Sequence, residues 1–299
     1  MTVLPYAVGM RLISVFIGLW CVVLCAGVAG AQPAASTRDL RVMSFNIRYG
    51  TADDGPNHWT LRRGMLIELL RTQQADVIGV QEALHAQLQE VVAALPEYGL
   101  VGVGRADGKE AGEYSAILYR TSRLTPLASG TFWFSDTPEV VASRSWGNEI
   151  ERICTWARFE DRTGGRFYAY NLHLDHRSQP SRERSVQLLR ARILARPSSD
   201  PIIVTGDFNA GEDNAAVRAL REASTLPLVD TFRVRQAAAS DVGTFTAFKF
   251  GQTQGDKIDY VFVESSTEVI AAEIVRTSRD ERYPSDHFPV TATIRFKRP

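Results

Sequence analysis

The sequence contains little cysteine and little histidine. Its 299 residues include three cysteines and five histidines, and Cys21 and Cys25 lie in an apolar amino-terminal run. A chain that lost this run would keep Cys154 alone, which excludes an internal disulfide, so its stability must come from a hydrophobic core. Because Cys154 stands between Ile153 and Thr155 in an apolar stretch, we interpret it as a buried small side chain rather than a nucleophile.

An excess of charge of either sign is also missing. Lysine and arginine together number 34, as do the acids, and loss of the amino-terminal run with its Arg11 would leave a net charge of −1. Long polyanions bind to basic surfaces that neutralise their phosphates. The composition therefore argues mildly against a high-affinity nucleic-acid binder, and it leaves small phosphoesters and lipid headgroups open as ligands.

Residues 1–31 have the pattern of a signal peptide. Arg11 is their one charged side chain, Leu12–Val28 is almost wholly apolar, and small residues at 29–31 occupy the usual cleavage position. A membrane anchor is the alternative, but the apolar run is short for a spanning helix. We predict a signal peptide at 1–31, a linker at 32–39 and a mature domain at 40–299. The product is then exported, periplasmic or secreted, with no stable membrane insertion after cleavage, and is expected to be a monomer.

From residue 40 onward, apolar alternation and helical periodicity interleave. The predicted strands are Arg41–Ile47, Asp76–Gln81, Tyr98–Gly104, Tyr114–Tyr119, Thr131–Phe134, Ile153–Glu160, Arg166–Leu174, Pro201–Thr205, Lys257–Val263, Glu268–Arg276 and Phe288–Phe296. The predicted helices are His58–Gln74, Leu84–Leu95, Ser181–Arg196 and Asn214–Glu222. Hairpins mixed with strand–helix units predict one α/β (α+β) domain of stacked sheets with outer helices. The long loop 135–151 is a candidate lid, since loops of this length are usually functional or disordered.

Polar residues that suit metal binding or proton transfer lie at the ends of several of these strands. They are Asn46, Glu82, His173 with Asp175, Asp207 with Asn209, Asp259, and Asp286 with His287. Each alone has an ordinary explanation as a turn, a cap or an ion pair. Together they supply more hard oxygen donors than turns require, so we predict that they converge on one site.

The donor types narrow the choice of metal. Carboxylate and amide oxygens, with few histidines and no spare cysteine, suit Mg²⁺ or Mn²⁺ better than Zn²⁺. Glu82 is the first choice for a direct ligand, with Asn46 beside it. Such a cation neutralises charge on a phosphoryl group. A water must also be activated, and His287 is the natural base near neutral pH; either Asp259 or Asp286 could orient its ring.

Six short motifs in order resemble the endonuclease/exonuclease/phosphatase superfamily over about residues 40–297. They are Phe45-Asn46-Ile47-Arg48, Val80-Gln81-Glu82, Leu172-His173-Leu174-Asp175, Gly206-Asp207-Phe208-Asn209, Lys257-Ile258-Asp259-Tyr260 and Ser285-Asp286-His287-Phe288-Pro289. The resemblance implies a four-layer sandwich, with two packed mixed β-sheets flanked by helices. Further motifs, among them Asp54-Gly55-Pro56-Asn57-His58-Trp59, are similar to a bacterial and often exported subgroup.

The resemblance also implies roles for the residues at the site. Asn46, Glu82 and Asp286 look like the metal side, and His173 resembles a histidine that contacts phosphate. Asp207 and Asn209 resemble a pair that positions the nucleophile and stabilises the transition state. Finally, His287 resembles a general base or phosphate ligand that is oriented by Asp259.

Four further residues beside these motifs are candidates for substrate binding: Arg48, Arg152, Asp175 and His176. A guanidinium can hold a phosphate bidentately, which makes Arg152 the best candidate for a second anion contact. The alternative for Arg152 is a structural ion pair with Glu149 or Glu151.

Three hypotheses about function follow. The leading one is a Mg²⁺- or Mn²⁺-dependent phosphodiesterase or phosphatase that acts on a small molecule or a lipid headgroup. The second is a secreted nuclease that acts on DNA or RNA. The third is a non-catalytic binding module on the same fold.

Overall fold

The computed structural model describes residues 1–4 and 39–297 of the chain. Residues 5–31 of the predicted signal peptide and residues 32–38 of the predicted linker therefore lie outside the described residues. Within the described part, no helix has both the length and the apolar character needed to cross a membrane.

Twelve strands form two six-stranded sheets. They are β1 (Leu40–Asn46), β2 (Val77–Ala83), β3 (Tyr98–Val101), β4 (Tyr114–Arg120), β5 (Leu124–Trp133), β6 (Ile153–Asp161), β7 (Arg166–His173), β8 (Ile202–Asp207), β9 (Leu228–Asp230), β10 (Asp259–Glu264), β11 (Glu268–Ile274) and β12 (Val290–Arg295). The first sheet has the order β11-β12-β1-β2-β4-β3 and the second β5-β6-β7-β8-β10-β9. The described helices are α1 (Trp59–Gln73), α2 (His85–Ala94), α3 (Gln179–Leu194), α4 (Ala215–Arg221) and α5 (Thr231–Arg235), with a 3₁₀ turn at Gly55–Asn57.

Three buried apolar clusters separate four layers. One fills the space between the sheets, with Val42 and Val77 from the first sheet against Ile203 and Val261 from the second. Another joins the first sheet to α1 and α2, and the third joins the second sheet to α3 and α4. The predicted fold class, two mixed sheets flanked by helices, is confirmed.

Each sheet contains one parallel pair, and a helix makes each crossover. β1 pairs with β2 in parallel through α1, and β7 pairs with β8 through α3. Parallel neighbours need such a crossover, and both carboxyl ends then lie at the same edge of the sheet. In the first sheet, this topology places the last residues of β1 and β2 side by side. In the second sheet, it does the same for the last residues of β7 and β8.

A small polar cluster interrupts the apolar layer between the sheets. The amide of Asn171 donates to the carbonyls of Val80 and Ala116 at 2.9 Å each. Its oxygen accepts from Gln81 Nε2 at 2.6 Å and from Thr205 Oγ1 at 3.0 Å. Because buried polar groups are costly unless they are satisfied, this cluster ties the two sheets into one register.

The structure differs from the predicted elements where the local pattern is weak. Strand β5 begins at Leu124 rather than at the predicted Thr131. It is an edge strand with an exposed central stretch and a bulge after Pro126. Its first half therefore lacks the alternation of apolar and polar residues by which a strand is predicted. Strand β9 and helix α5 were not predicted. With three and five residues, they are too short to show a period.

Candidate active site

A cavity of about 550 Å³ lies where the carboxyl ends of the two parallel strand pairs meet. Nine of the twelve predicted site residues line it: Arg48, Glu82, Arg152, His173, His176, Asp207, Asn209, Asp286 and His287. The other three are buried close behind the wall. Asn46 and Asp259 contact lining residues, whereas Asp175 faces away from the cavity, as described below.

The acidic side of the cavity is built around Asn46. Its amide nitrogen donates to Glu82 Oε1 at 3.0 Å and to Asp207 Oδ2 at 3.0 Å, so it joins the first sheet to the second. Ser285 Oγ donates to the Asn46 carbonyl at 2.7 Å, which brings the neighbouring Asp286 to the same region. Three carboxylates thus face a shared volume, and the amide of Asn46 lies buried behind them.

Left-handed backbone conformations turn the chain sharply at three of these positions. Arg48, Glu82 and Asn209 have φ angles of 56°, 61° and 48°. Such conformations are unfavourable for residues other than glycine, generally by about 1–3 kcal/mol for strained sites, and they cluster at functional sites. Arg48 and Asn209 each stand two residues after a strand end, and Glu82 lies at the bulge of β2 between Gln81 and Ala83. All three residues line the cavity.

His287 lies between two carboxylates. Its Nδ1 is 2.9 Å from Asp259 Oδ2 and its Nε2 is 3.8 Å from Asp207 Oδ2. Burial lowers the pKa of His287, but the negative charges of Asp259 and Asp207 outweigh it, so the net pKa is raised well above the ordinary value. The two carboxylates therefore favour the protonated form of the imidazole.

His173 and Asp207 lie beside each other, with His173 Nε2 3.5 Å from Asp207 Oδ2, but their pKa values are shifted in opposite directions. Burial, and then the positive charges of Arg152 and other cations, lowers the pKa of His173 well below its usual range, so this ring is neutral. Its Nε2 lies 2.9 Å from Asn209 Nδ2, which can donate to it. Burial and the charge of Asp259 raise the pKa of Asp207 to about 7, which suits a group that exchanges protons near neutrality.

The cationic side contains Arg152 and Arg48. Arg152 is buried, and its Nη2 lies 2.9 Å from His176 Nδ1. Its Nε is 3.6 Å from Asp175 Oδ2 and has no hydrogen-bond partner, so the ion pair is with Asp175 and not with either glutamate of the preceding loop. Arg48 pairs with Asp54 at 2.9 Å and lies 3.8 Å from Asp286.

Asp175 is not brought to the cavity wall. Its carboxylate is buried and accepts from the backbone amides of Arg177 and Ser178 at 2.9 and 2.6 Å. Burial raises the pKa of Asp175, but these two bonds and the charge of Arg152 outweigh it and the net pKa is lowered. The structure therefore places Asp175 behind Arg152 rather than in reach of a ligand.

Several lining residues were not singled out from the sequence. Arg105 is held by Glu113 at 2.7 Å, and burial raises the pKa of that glutamate to about 7. Phe245 and Phe248 form an aromatic rim, and the Phe245 ring packs edge-on against His287 with centroids 5.0 Å apart. The segments that contain Arg105, Phe245 and Phe248 have no regular periodicity. The one sequence feature that could have indicated a site residue was the pair of opposite charges, Arg105 and Glu113, at the ends of the 105–113 loop.

The residues on the acidic side fit a hard divalent cation. Ligand atoms of Glu82, His173 and Asp207 all lie within 4.8 Å of one another. Burial raises the pKa of both Asp207 and Asp286, because these carboxylates lack enough positive charge around them. A cation bound by carboxylate and amide oxygens would supply that charge.

Comparisons with known proteins agree with this arrangement. The model of the endonuclease/exonuclease/phosphatase family matches residues 43–287. A protein of that family from Bacteroides vulgatus has a TM-score of 0.80 and 34% identity, over 87% of this chain and 99% of that one. A mannosyl-6-phosphatase from Bacteroides thetaiotaomicron has a TM-score of 0.79 and 34% identity, over 86% and 100%. An uncharacterised protein of Acanthamoeba polyphaga mimivirus is 29% identical over 184 residues, which cover 58% of this chain and 68% of that protein.

Proposed function

The chain belongs to the endonuclease/exonuclease/phosphatase family of phosphoester hydrolases, and on that premise we propose that it is a Mg²⁺- or Mn²⁺-dependent phosphoesterase. The observation that carries the proposal is the amide of Asn46, which bonds to Glu82 and Asp207 at 3.0 Å each. This bond pair holds Glu82 of the first sheet close to Asp207 of the second, which supports one site shared by the two sheets.

Glu82 and Asp286 are the proposed metal ligands. The side-chain oxygen of Asn46, which accepts from the backbone amide of Arg48 at 3.0 Å, would be the third ligand after rotation of the amide. A divalent cation bound there would polarise a phosphoryl oxygen and neutralise developing negative charge. Both carboxylates are largely buried, with 14% of the Glu82 side chain and 8% of the Asp286 side chain exposed. Mg²⁺ and Mn²⁺ are favoured because every proposed ligand atom is an oxygen.

The remaining residues bind the phosphate and transfer the proton. Asp207, with a pKa of about 7, accepts the proton of the attacking water. His287 is flanked by two carboxylates and contacts the phosphate as a cation. This proposal moves the base from His287 to Asp207. Asn209 Nδ2 lies 2.9 Å from His173 Nε2 and donates to the Leu174 carbonyl, so it holds the neutral ring of His173, which contacts a phosphoryl oxygen.

Arg152 and His176 are the proposed second anion contact. Arg48 lies beside the proposed metal ligands Glu82 and Asp286, at 3.9 and 3.8 Å. Asp175 contributes through Arg152, whose position it holds. The exposed ring of Phe245 would contact the leaving group. We favour a small phosphorylated molecule, with phosphorylated sugars tested first, because the Bacteroides thetaiotaomicron phosphatase is 34% identical over its whole length.

A phosphoester panel with a metal titration tests the proposal. Purified protein is assayed against sugar phosphates, lipid headgroup phosphoesters, a chromogenic diester and oligonucleotides, with Mg²⁺, Mn²⁺ or a chelator. We expect metal-dependent release of phosphate or alcohol, lost in Glu82→Gln and His287→Ala. Turnover that persists in the chelator, or full activity in both variants, would overturn the proposal. Oligonucleotides as the best substrate would instead support the secreted nuclease.

We also propose that residues 1–31 are a signal peptide, residues 32–39 a linker and residues 40–299 the exported domain. Support comes from the apolar run with a single charged residue, Arg11. Expression in a bacterial host, followed by fractionation and amino-terminal sequencing of the product, tests this. A product that keeps residues 1–31 and stays in the cytoplasm would contradict it.

A further inference from the structure

Arg62 is a fully buried arginine near the start of α1, outside the cavity. All the hydrogen bonds described for its guanidinium end on backbone carbonyls. Nε donates to Asn57 at 2.9 Å, Nη1 to Ile47 at 2.8 Å and to Pro284 at 2.9 Å, and Nη2 to Arg48 at 2.8 Å. One side chain therefore joins three separate loops.

Two of these loops adjoin two of the three proposed metal ligands. Ile47 and Arg48 directly follow Asn46, and Pro284 stands two residues before Asp286. Arg62 thus connects the backbone beside one ligand with the backbone beside another, over a sequence separation of 222 residues between itself and Pro284.

The bonds also hold a strained conformation in place. Arg48 has a φ of 56°, and its carbonyl accepts both from Arg62 Nη2 at 2.8 Å and from Gln87 Nε2 at 3.0 Å. Left-handed residues persist when the surrounding structure over-determines them. The planar fork of arginine, with donors at fixed angles, is suited to several carbonyls at once.

Burying this charge is unfavourable by itself. Burial lowers the pKa of Arg62 to about 10, and an apolar side chain would serve the packing of α1 at less cost. The guanidinium carbon lies 5.1 Å from the centre of the Trp59 ring and 5.5 Å from the centre of the Phe248 ring. Phe248 lines the cavity. The guanidinium therefore contacts one core ring of α1, Trp59, and one ring that lines the cavity, Phe248.

We propose that Arg62 is a positioning residue that sets the spacing between Asn46 and Asp286, and through it the affinity for the divalent cation. This inference rests on the proposed function. Groups behind metal ligands commonly change metal affinity or activity by 10–100-fold when they are removed.

Three variants separate positioning from simple stability. Arg62→Lys keeps the charge and loses the fork. Ser285→Ala removes the hydroxyl that donates to the Asn46 carbonyl at 2.7 Å, which joins the same two loops in a smaller change. Arg123→Lys is the matched control, because Arg123 joins the carbonyl of Asp39 and the carboxylates of Asp76 and Asp161 at the other ends of the strands.

Binding of Mn²⁺ is measured by the loss of the free-ion electron paramagnetic resonance signal, and kcat, KM and Tm are measured in parallel. We expect Arg62→Lys to weaken Mn²⁺ binding about tenfold or more and to lower kcat with KM within about twofold. Ser285→Ala should weaken binding by a smaller factor. Arg123→Lys should lower Tm and leave Mn²⁺ binding unchanged.

The outcomes are distinguishable. If the wild-type protein binds no Mn²⁺, the proposed function fails. If the wild type binds Mn²⁺ and folded Arg62→Lys and Ser285→Ala bind it equally well, Arg62 is only structural and the inference is overturned. Should Arg62→Lys fail to fold, Ser285→Ala alone decides between the same two results.

Discussion

Replacement of Asp259 by asparagine tests the buried pair that this residue makes with His287. Asp259 is fully buried at the start of β10, and its Oδ2 lies 2.9 Å from His287 Nδ1. The second carboxylate near the ring, Asp207, is farther away, at 3.8 Å. The asparagine keeps the shape and can still accept one hydrogen bond, so the change removes mainly a charge.

The size of the effect follows from burial. Removal of one member of a buried ion pair generally costs about 3–5 kcal/mol. Because Asp207 remains and the ring of His287 can lose its proton, we take the lower end, about 3 kcal/mol. This figure is the expected loss of unfolding free energy. Separately, kcat should fall about 100-fold, because loss of one preorganised charge or donor beside the reacting group generally costs about that much. Without the charge of Asp259, the effect of burial outweighs that of the remaining carboxylate, so the pKa of His287 falls below its value in the wild type.

Steady-state assays and an NMR titration of His287 in the chelated protein measure these two effects. The control is Asp76→Asn, because Asp76 is also buried and pairs with Arg123 at 2.9 Å, but at the far ends of the strands. It should lose stability and keep its kcat. A kcat within twofold of wild type for Asp259→Asn, or an unchanged His287 pKa, would refute the reasoning.

The same variant has a predictable pH dependence of stability. The pKa of His287 is raised in the folded chelated protein, so its protonation stabilises the fold below the unfolded pKa and this contribution is lost as the pH rises through the folded pKa. The loss of unfolding free energy in Asp259→Asn should therefore be largest near pH 6 and shrink as the pH rises. A loss that grows with pH would contradict this assignment.

Further predictions concern packing, metal binding and substrate contact. Gly79→Ala places a methyl group 2.1 Å from the Thr205 hydroxyl and should lower the unfolding free energy, measured by urea denaturation, by about 3 kcal/mol. Gly64→Ala is the control, because its methyl group would have no neighbouring atom within 4 Å outside the helix backbone. It should raise the unfolding free energy by about 0.5–1 kcal/mol. Asp286→Asn should weaken Mn²⁺ binding at least about tenfold yet raise Tm in chelator, because burial disfavours that carboxylate. Phe245→Ala should raise KM about threefold or more with kcat little changed, since lost apolar contact is worth about 1 kcal/mol.

Each of these has an opposing result. Equal unfolding free energies for the two glycine variants would show that the sheets can separate without cost. A lower Tm for Asp286→Asn in chelator would mean that its charge is satisfied without a cation. An unchanged KM for Phe245→Ala on every substrate of the panel would remove the ring from the leaving-group side.

Local sequence patterns were sufficient to identify most of the strands, the helices of seven or more residues and the fold class. The reason is physical: strands buried on both faces, such as β1 and β8, show apolar runs that polar residues end abruptly. Those ending residues, Asn46 and Asp207 among them, are the ones the structure brings to the cavity. The outer strand β5 and the three-residue β9 lacked such a signal.

Only the tertiary structure decided which of these residues touch. The bond from Asn46 to Asp207 spans 161 positions, and Asp259 faces Asp207 because of the register between β8 and β10. Asp175 turns away from the cavity although its sequence position matches that of the residues that reach it, and Arg62 serves the site from a helix. Such contacts depend on how two sheets pack and on the register of their strands, which local periodicity does not contain.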